Sequence, residues 1–173
     1  MIAVYAGRFD PVTNGHLDIL QRAARIFDRV VVAVYDTPAG KSLFDTSQRV
    51  AMIEACVTDD PTVSVEPFSG LLTDFVRARG ADAIVRGLRA VTDFSVEFDQ
   101  ALMYKDMAPE VEQVFLMSDL RYVFVRATRI REVAASVARP RHRPRQQPPR
   151  SDLQHAGRCH LGVVGRPAHM DAR

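Results

Sequence analysis

Ile2-Ala-Val-Tyr-Ala6 runs straight into Gly7-Arg-Phe-Asp-Pro-Val-Thr-Asn-Gly-His16, and His16–Phe27 then places Leu17, Leu20, Ala24 and Phe27 on one stripe. A short β-rich run, a loop rich in Gly and Pro, and an apolar stripe of helical period make a strand–loop–helix unit. Gly7 lets the chain turn tightly and Pro11 stiffens the loop. Gly15 removes a side chain where backbone must approach a bound group. His16 begins the helix, where unpaired N–H groups and the dipole favour an anion. A phosphate placed there meets backbone donors and an imidazole together. A lone histidine at a helix start is most often without chemistry; the Gly, Pro and Thr around it make His16 the candidate.

Working outward, the same alternation recurs. β-rich runs fall at Val30–Tyr35, Val63–Glu66, Ala83–Arg86 and Gln113–Met117. Between them, Ser47–Val57 sets Val50, Ile53, Glu54 and Val57 on one face, and Leu71–Arg79 and Phe94–Lys105 follow with helical spacing. Strands alternating with helices predict parallel strands joined by right-handed crossovers. The strands are short and nearly all apolar, as covering on both faces requires. The fold class is therefore α/β, a Rossmann-like doubly wound parallel sheet in a single domain. Ligands of such sheets lie beyond the carboxyl ends of the strands.

At 173 residues the chain suits one domain with a real core, and 47% hydrophobic content is ordinary for a globular protein. No apolar run has the length of a membrane span. The first residues lack the basic region and long apolar stretch of a signal peptide. Cys56 and Cys159 form no disulfide framework and suggest a reducing cytoplasm. Residues 1–138 hold 15 Lys/Arg against 19 Asp/Glu, a net −4, whereas 139–173 hold 8 Arg against 2 Asp, a net +6. The basic excess thus belongs to the tail, and the body gives no nucleic-acid signal. Arg139-Pro-Arg-His-Arg-Pro-Arg-Gln-Gln-Pro-Pro-Arg150 admits neither a helix nor a central strand, and the tail is expected to be disordered. His155, Cys159 and His160 lie there without a second ligand pair of recognisable spacing, so no metal site is assigned.

Two further stretches follow strands. Ala83–Arg86 leads into Arg86-Gly-Leu-Arg89, then Ala-Val-Thr-Asp-Phe94 and Glu97. The guanidinium fork donates two aligned hydrogen bonds and suits phosphate; alone, both arginines read equally well as surface ion-pair residues. Val114–Met117 is followed by Tyr122-Val-Phe-Val-Arg-Ala-Thr128-Arg-Ile-Arg-Glu132, in which Thr128 is expected to cap a helix. The glycine-rich dinucleotide fingerprint is missing, which argues against a dehydrogenase.

The first segment resembles the signature of the nucleotidyltransferase superfamily, which ends in His/Thr-x-Gly-His. Thr13 points to the phosphopantetheine adenylyltransferase branch. The string from Arg86 to Glu97 is similar to that family's second hallmark. The resemblance covers roughly residues 1–137. It implies AMP transfer from ATP to 4′-phosphopantetheine, giving dephospho-CoA and pyrophosphate by direct in-line displacement. Magnesium would accompany ATP, held by phosphates and water. The partners implied are these two substrates, with no nucleic acid or membrane; the family usually assembles as a homo-hexamer. It further implies His16 as the transition-state contact. ATP contacts fall on Arg8, Phe9, His16, Gly87, Leu88, Arg89, Glu97, Tyr122, Val123, Phe124, Val125, Arg126, Ala127 and Thr128. Acceptor contacts fall on Arg8, Gly40, Lys41, Leu72 and Arg86; Leu72 reads equally as a core leucine.

This sequence departs from the family pattern in four places. Arg8 stands for a small hydroxyl residue. Gly40 takes the place of a substrate-binding lysine, with Lys41 one residue later. Arg126 and Ala127 stand where serines are usual, while Thr128 and Arg131 fit a looser Ser-Thr-x-x-Arg form. The Arg/Pro tail replaces a further turn and helix and looks like a frameshift product. Two alternatives stay open: transfer to another phosphorylated acceptor, and nucleotide binding without catalysis.

Overall fold

A computed structural model describes residues 1–138. The basic segment from 139 onward, with His155, Cys159 and His160 and the boundary drawn at 138, lies outside the described residues. The elements run β1 (Ile2–Gly7), α1 (Asn14–Ala23), β2 (Arg29–Tyr35), α2 (Thr46–Val57), β3 (Val63–Phe68), α3 (Leu72–Ala78), β4 (Ala83–Leu88), α4 (Val91–Met107), β5 (Glu112–Met117) and α5 (Ala127–Ala138), with a 3₁₀ turn at Leu120–Tyr122. The five strands lie in the order β3-β2-β1-β4-β5, all parallel. This is the doubly wound sheet that the alternation of periods predicts. The chain winds outward through β2 and β3, then returns to place β4 on the other side of β1. Strand order reverses between β1 and β4, where such sheets open a crevice at their carboxyl ends.

Alternate strand residues feed two cores. Tyr5, Val30, Val32, Val34 and Val85 pack with Ile19, Leu20 and Ala23 of α1 and Ile53 of α2. Val4, Ala6, Val31, Ala33 and Ile84 pack with Leu72 and Val76 of α3 and with Ala108. Both faces of β1, β2 and β4 are therefore buried, which explains why these strands are continuous apolar runs.

Two helices differ from the expected stripes. α1 ends at Ala23, and its fully buried residues are Ile19, Leu20 and Ala23, with Leu17 half-buried. Ile19 is drawn inward because it packs under Gly87, where an added Cβ would lie 3.0 Å from Ile19 Cγ1. In α2 Glu54 is exposed and Arg49 is completely buried beside Ile53. No described helix is long and apolar enough to cross a membrane.

Candidate active site

A cleft of about 580 Å³ opens at the carboxyl ends of β1 and β4, walled by the β1–α1 loop, the first turn of α1, and the start of α5. Its best-defined element is the helix start. Thr13 is the N-cap of α1, and its hydroxyl accepts from the His16 N–H at 3.4 Å. The Thr13 N–H donates in return to His16 Nδ1 at 3.1 Å, with the Thr13 hydroxyl also 3.1 Å from that nitrogen. This is a capping box with histidine in the place usually taken by Glu or Gln. Nδ1 is thereby an acceptor, which leaves the hydrogen of the neutral ring on Nε2. Burial, helped by the Arg89 guanidinium, pushes the imidazole down to about 4. At neutral pH His16 is thus an uncharged donor on the cleft wall. Gly15 lies in the same first turn, where amides lack intrahelical partners. A Cβ there would meet Tyr122 Cβ at 3.4 Å, an ordinary packing contact, so the 3₁₀ turn lies directly over the start of α1.

The loop before the helix is bent and pinned. Phe9 has φ of 49°, a left-handed conformation that costs a non-glycine residue about 1–2 kcal/mol. Its ring is buried edge-on against Tyr5 and His16, with centroids 5.3 and 5.2 Å away. Three arginines from later elements hold alternate carbonyls along this stretch. Arg86 donates to Ala6 O at 2.9 Å, Arg49 to Arg8 O at 2.7 Å, and Arg131 to Asp10 O at 2.6 Å. Arg49 also donates to the carbonyls of Tyr35 (2.9 Å) and Phe44 (3.1 Å) and to the Thr46 hydroxyl (2.8 Å). It is a buried cation solvated by backbone dipoles.

Charge in the cleft is arranged unevenly. Each acid that lines it is paired: Asp10 with Arg131 at 3.4 Å, Glu97 with Arg86 at 2.6 Å, and Glu132 with Arg129 at 3.1 Å. Arg89 pairs with Asp93 at 3.1 Å. Arg8 and Arg126 line the cleft without an ion pair among the described residues. The surplus is positive, and it favours a polyanion. Among the described residues no three His, Cys, Asp or Glu side chains gather as a metal cage would.

The cleft brings together Arg8, Phe9, His16, Arg86, Gly87, Arg89, Glu97, Val125, Arg126, Ala127 and Thr128 from the sequence candidates. The others sit elsewhere. Leu88 and Leu72 are buried, the latter in the core beside α3. Tyr122 and Val123 are half-buried near the 3₁₀ turn, and Phe124 is 89% exposed. Gly40 lines a second cavity of about 1090 Å³ formed by the β2–α2 loop and the start of α2; Lys41 is exposed. Thr128 does not cap α5: the helix begins at Ala127, and the Thr128 hydroxyl accepts from Arg131 at 3.4 Å. Sequence reasoning missed Asp10 and Arg49. Asp10 takes distant amides and Arg49 reaches the distant carbonyls of Arg8 and Tyr35, and no local pattern signals either.

Residues 4–133 match the cytidylyltransferase-like family, and the chain belongs to it. The fold agrees with a solved bifunctional NMN adenylyltransferase/ADP ribose pyrophosphatase from Francisella tularensis, at a TM-score of 0.62 and 24% identity over 79% of this chain; the chain spans 42% of that protein's length. Within the family it stands among the phosphopantetheine adenylyltransferases. It is 54% identical to that of Heliobacterium modesticaldum over 78% of this chain and 80% of the relative. It is 51% identical to that of Moorella thermoacetica over 78% and 84%.

Proposed function

We propose that the chain transfers AMP from ATP to 4′-phosphopantetheine, forming dephospho-CoA and pyrophosphate. A phosphate oxygen of the acceptor attacks the α-phosphorus of ATP, the bond from that phosphorus to the bridging oxygen breaks, and pyrophosphate leaves. The acceptor phosphate is already a good nucleophile, so the protein supplies alignment and charge stabilisation. In this reading His16 Nε2–H donates to the oxygens on which charge grows in the transition state. Arg89, Arg126 and Thr128 hold the ATP phosphates, with Gly87, Leu88, Glu97 and the 122–127 segment on the nucleotide side. Arg8 and Arg86 hold the acceptor phosphate, with Gly40 and Lys41 along its arm, while the buried Leu72 serves the core. Magnesium fits as a companion of the triphosphate, since every carboxylate lining the cleft is already engaged by arginine; its chemistry is to neutralise phosphate charge.

The observation that carries this reading is the convergence of a neutral imidazole donor with the unpaired Arg8 and Arg126 in one cleft, in a chain about half identical to proteins named for this reaction. The reading includes a cytoplasmic setting and a homo-hexamer; Phe94, Phe98 and Leu102, exposed one helical turn apart on α4, support self-association. The test is pyrophosphate release by the full chain from ATP and magnesium, with and without 4′-phosphopantetheine. Release that depends on the acceptor is expected. Nucleotide binding without release would favour a non-catalytic relative, and release only with a different phosphorylated acceptor would reassign the substrate.

A further inference from the structure

Asp10 sits between the two cavities. It lines the cleft, and its side chain holds Leu43, which lines the second cavity. Its residue is only 3% exposed, and its oxygens are fully engaged. Oδ1 accepts from the amides of Leu43 at 3.1 Å and Phe44 at 3.0 Å. Oδ2 accepts from the Leu43 amide at 2.9 Å and from Arg131 Nη1 at 3.4 Å, and the Asp10 carbonyl takes the same guanidinium at 2.6 Å. One buried residue therefore ties the β2–α2 loop, which carries Gly40 and Lys41, to helix α5, which carries Thr128. Two backbone amides and a guanidinium meet on it. Any shift of α5 toward a bound triphosphate pulls on Arg131, and through Asp10 on the loop. The coupling runs through hydrogen bonds that converge on Asp10.

We propose that Asp10 is a positioning residue that couples the two substrate sites, so that nucleotide at α5 and acceptor at the β2–α2 loop strengthen each other's binding. This rests on the adenylyl-transfer reading for which ligand occupies which side. Linkage makes the coupling reciprocal. Alanine is the informative replacement. It removes the acceptors of the Leu43 and Phe44 amides and leaves the main-chain carbonyl that Arg131 grips.

The experiment is calorimetric titration of the full chain with 4′-phosphopantetheine, with and without a saturating ATP analogue whose α,β-bridge is methylene. In the unaltered protein the analogue tightens the acceptor by about fivefold or more, and the acceptor tightens the analogue equally. In Asp10→Ala and in Arg131→Met the factor falls toward unity, whereas Arg131→Lys, which keeps a donor for the Asp10 carbonyl, retains part of it. Wild-type coupling in Asp10→Ala, or no coupling in the unaltered protein, overturns the proposal. Amide hydrogen exchange separates it from the ligand assignment. Without any ligand, Arg131→Met speeds exchange at Leu43 and Phe44, although its side chain bonds neither. Unchanged exchange there overturns the tie itself, while absent pyrophosphate release in the unaltered protein sinks only the adenylyl-transfer reading. Should Asp10→Ala fail to fold, the two Arg131 variants carry the same test.

Discussion

Replacing His16 separates two roles that the structure gives to one ring. Nδ1 closes the capping box of α1 by accepting from Thr13, while Nε2–H is the donor offered to a ligand. His16→Ala removes both. Loss of a charge-stabilising donor costs about 10²–10³-fold in turnover, or about 3–4 kcal/mol of transition-state stabilisation, with little change in ATP affinity. Loss of half a capping box costs about 1 kcal/mol, which in a domain of this size is about 4 °C in Tm. His16→Gln splits the two effects. Glutamine is a standard partner in the capping box and restores the bond from the Thr13 amide. It does not set a donor where Nε2 stood. The Gln variant is therefore expected to melt close to the unaltered protein yet turn over as slowly as the Ala variant. Turnover is read from acceptor-dependent pyrophosphate release and Tm from scanning calorimetry. Near-normal turnover of His16→Ala removes His16 from the mechanism. Equal melting of the Ala and Gln variants, both below the unaltered protein, refutes the capping role.

Other perturbations follow from the same geometry. The unfolded chain takes up a proton near pH 6.5, which folded His16 refuses until about 4, so stability falls as pH drops through that window, by roughly 2–3 kcal/mol after allowance for partial exposure of the ring. Urea midpoints at the two ends of the window measure this, and His16→Gln flattens the slope. Gly87→Ala sets a Cβ 3.0 Å from the buried Ile19 and is expected to destabilise by about 1–3 kcal/mol; Ile19→Ala in the same chain costs less than it does alone, and strict additivity contradicts the contact. Arg49→Lys destabilises by about 3 kcal/mol or more, because one ammonium cannot reach carbonyls and a hydroxyl on three segments. A Lys variant as stable as the parent shows that the buried fork is dispensable.

The sheet was legible because burial on both faces leaves an unmistakable composition: Val30 to Val34 is an unbroken apolar run, and every expected strand formed. His16 was legible because Gly15 and Thr13 mark the helix start beside it. Arg49 was not. An arginine within a helical stripe normally lies in water, and its burial depends on carbonyls of Arg8 and Tyr35 that only the tertiary fold brings to it. Asp10 was passed over for the same reason, since its partners lie 33 to 121 residues away. Thr128 was expected as a cap from its hydroxyl alone. The helix starts one residue earlier, which turns that hydroxyl toward Arg131.

The three arginines that grip the carbonyls of Ala6, Arg8 and Asp10 come from positions 86, 49 and 131. During synthesis the segment Gly7–His16 leaves the ribosome before all three of them, and the side chains that give it shape emerge one after another behind it. A nascent chain that stops short of residue 131 carries the motif's letters without its third grip. Competence to bind is therefore acquired late and as a unit, and a chain broken off before α5 is expected to compete poorly for its ligands with finished copies.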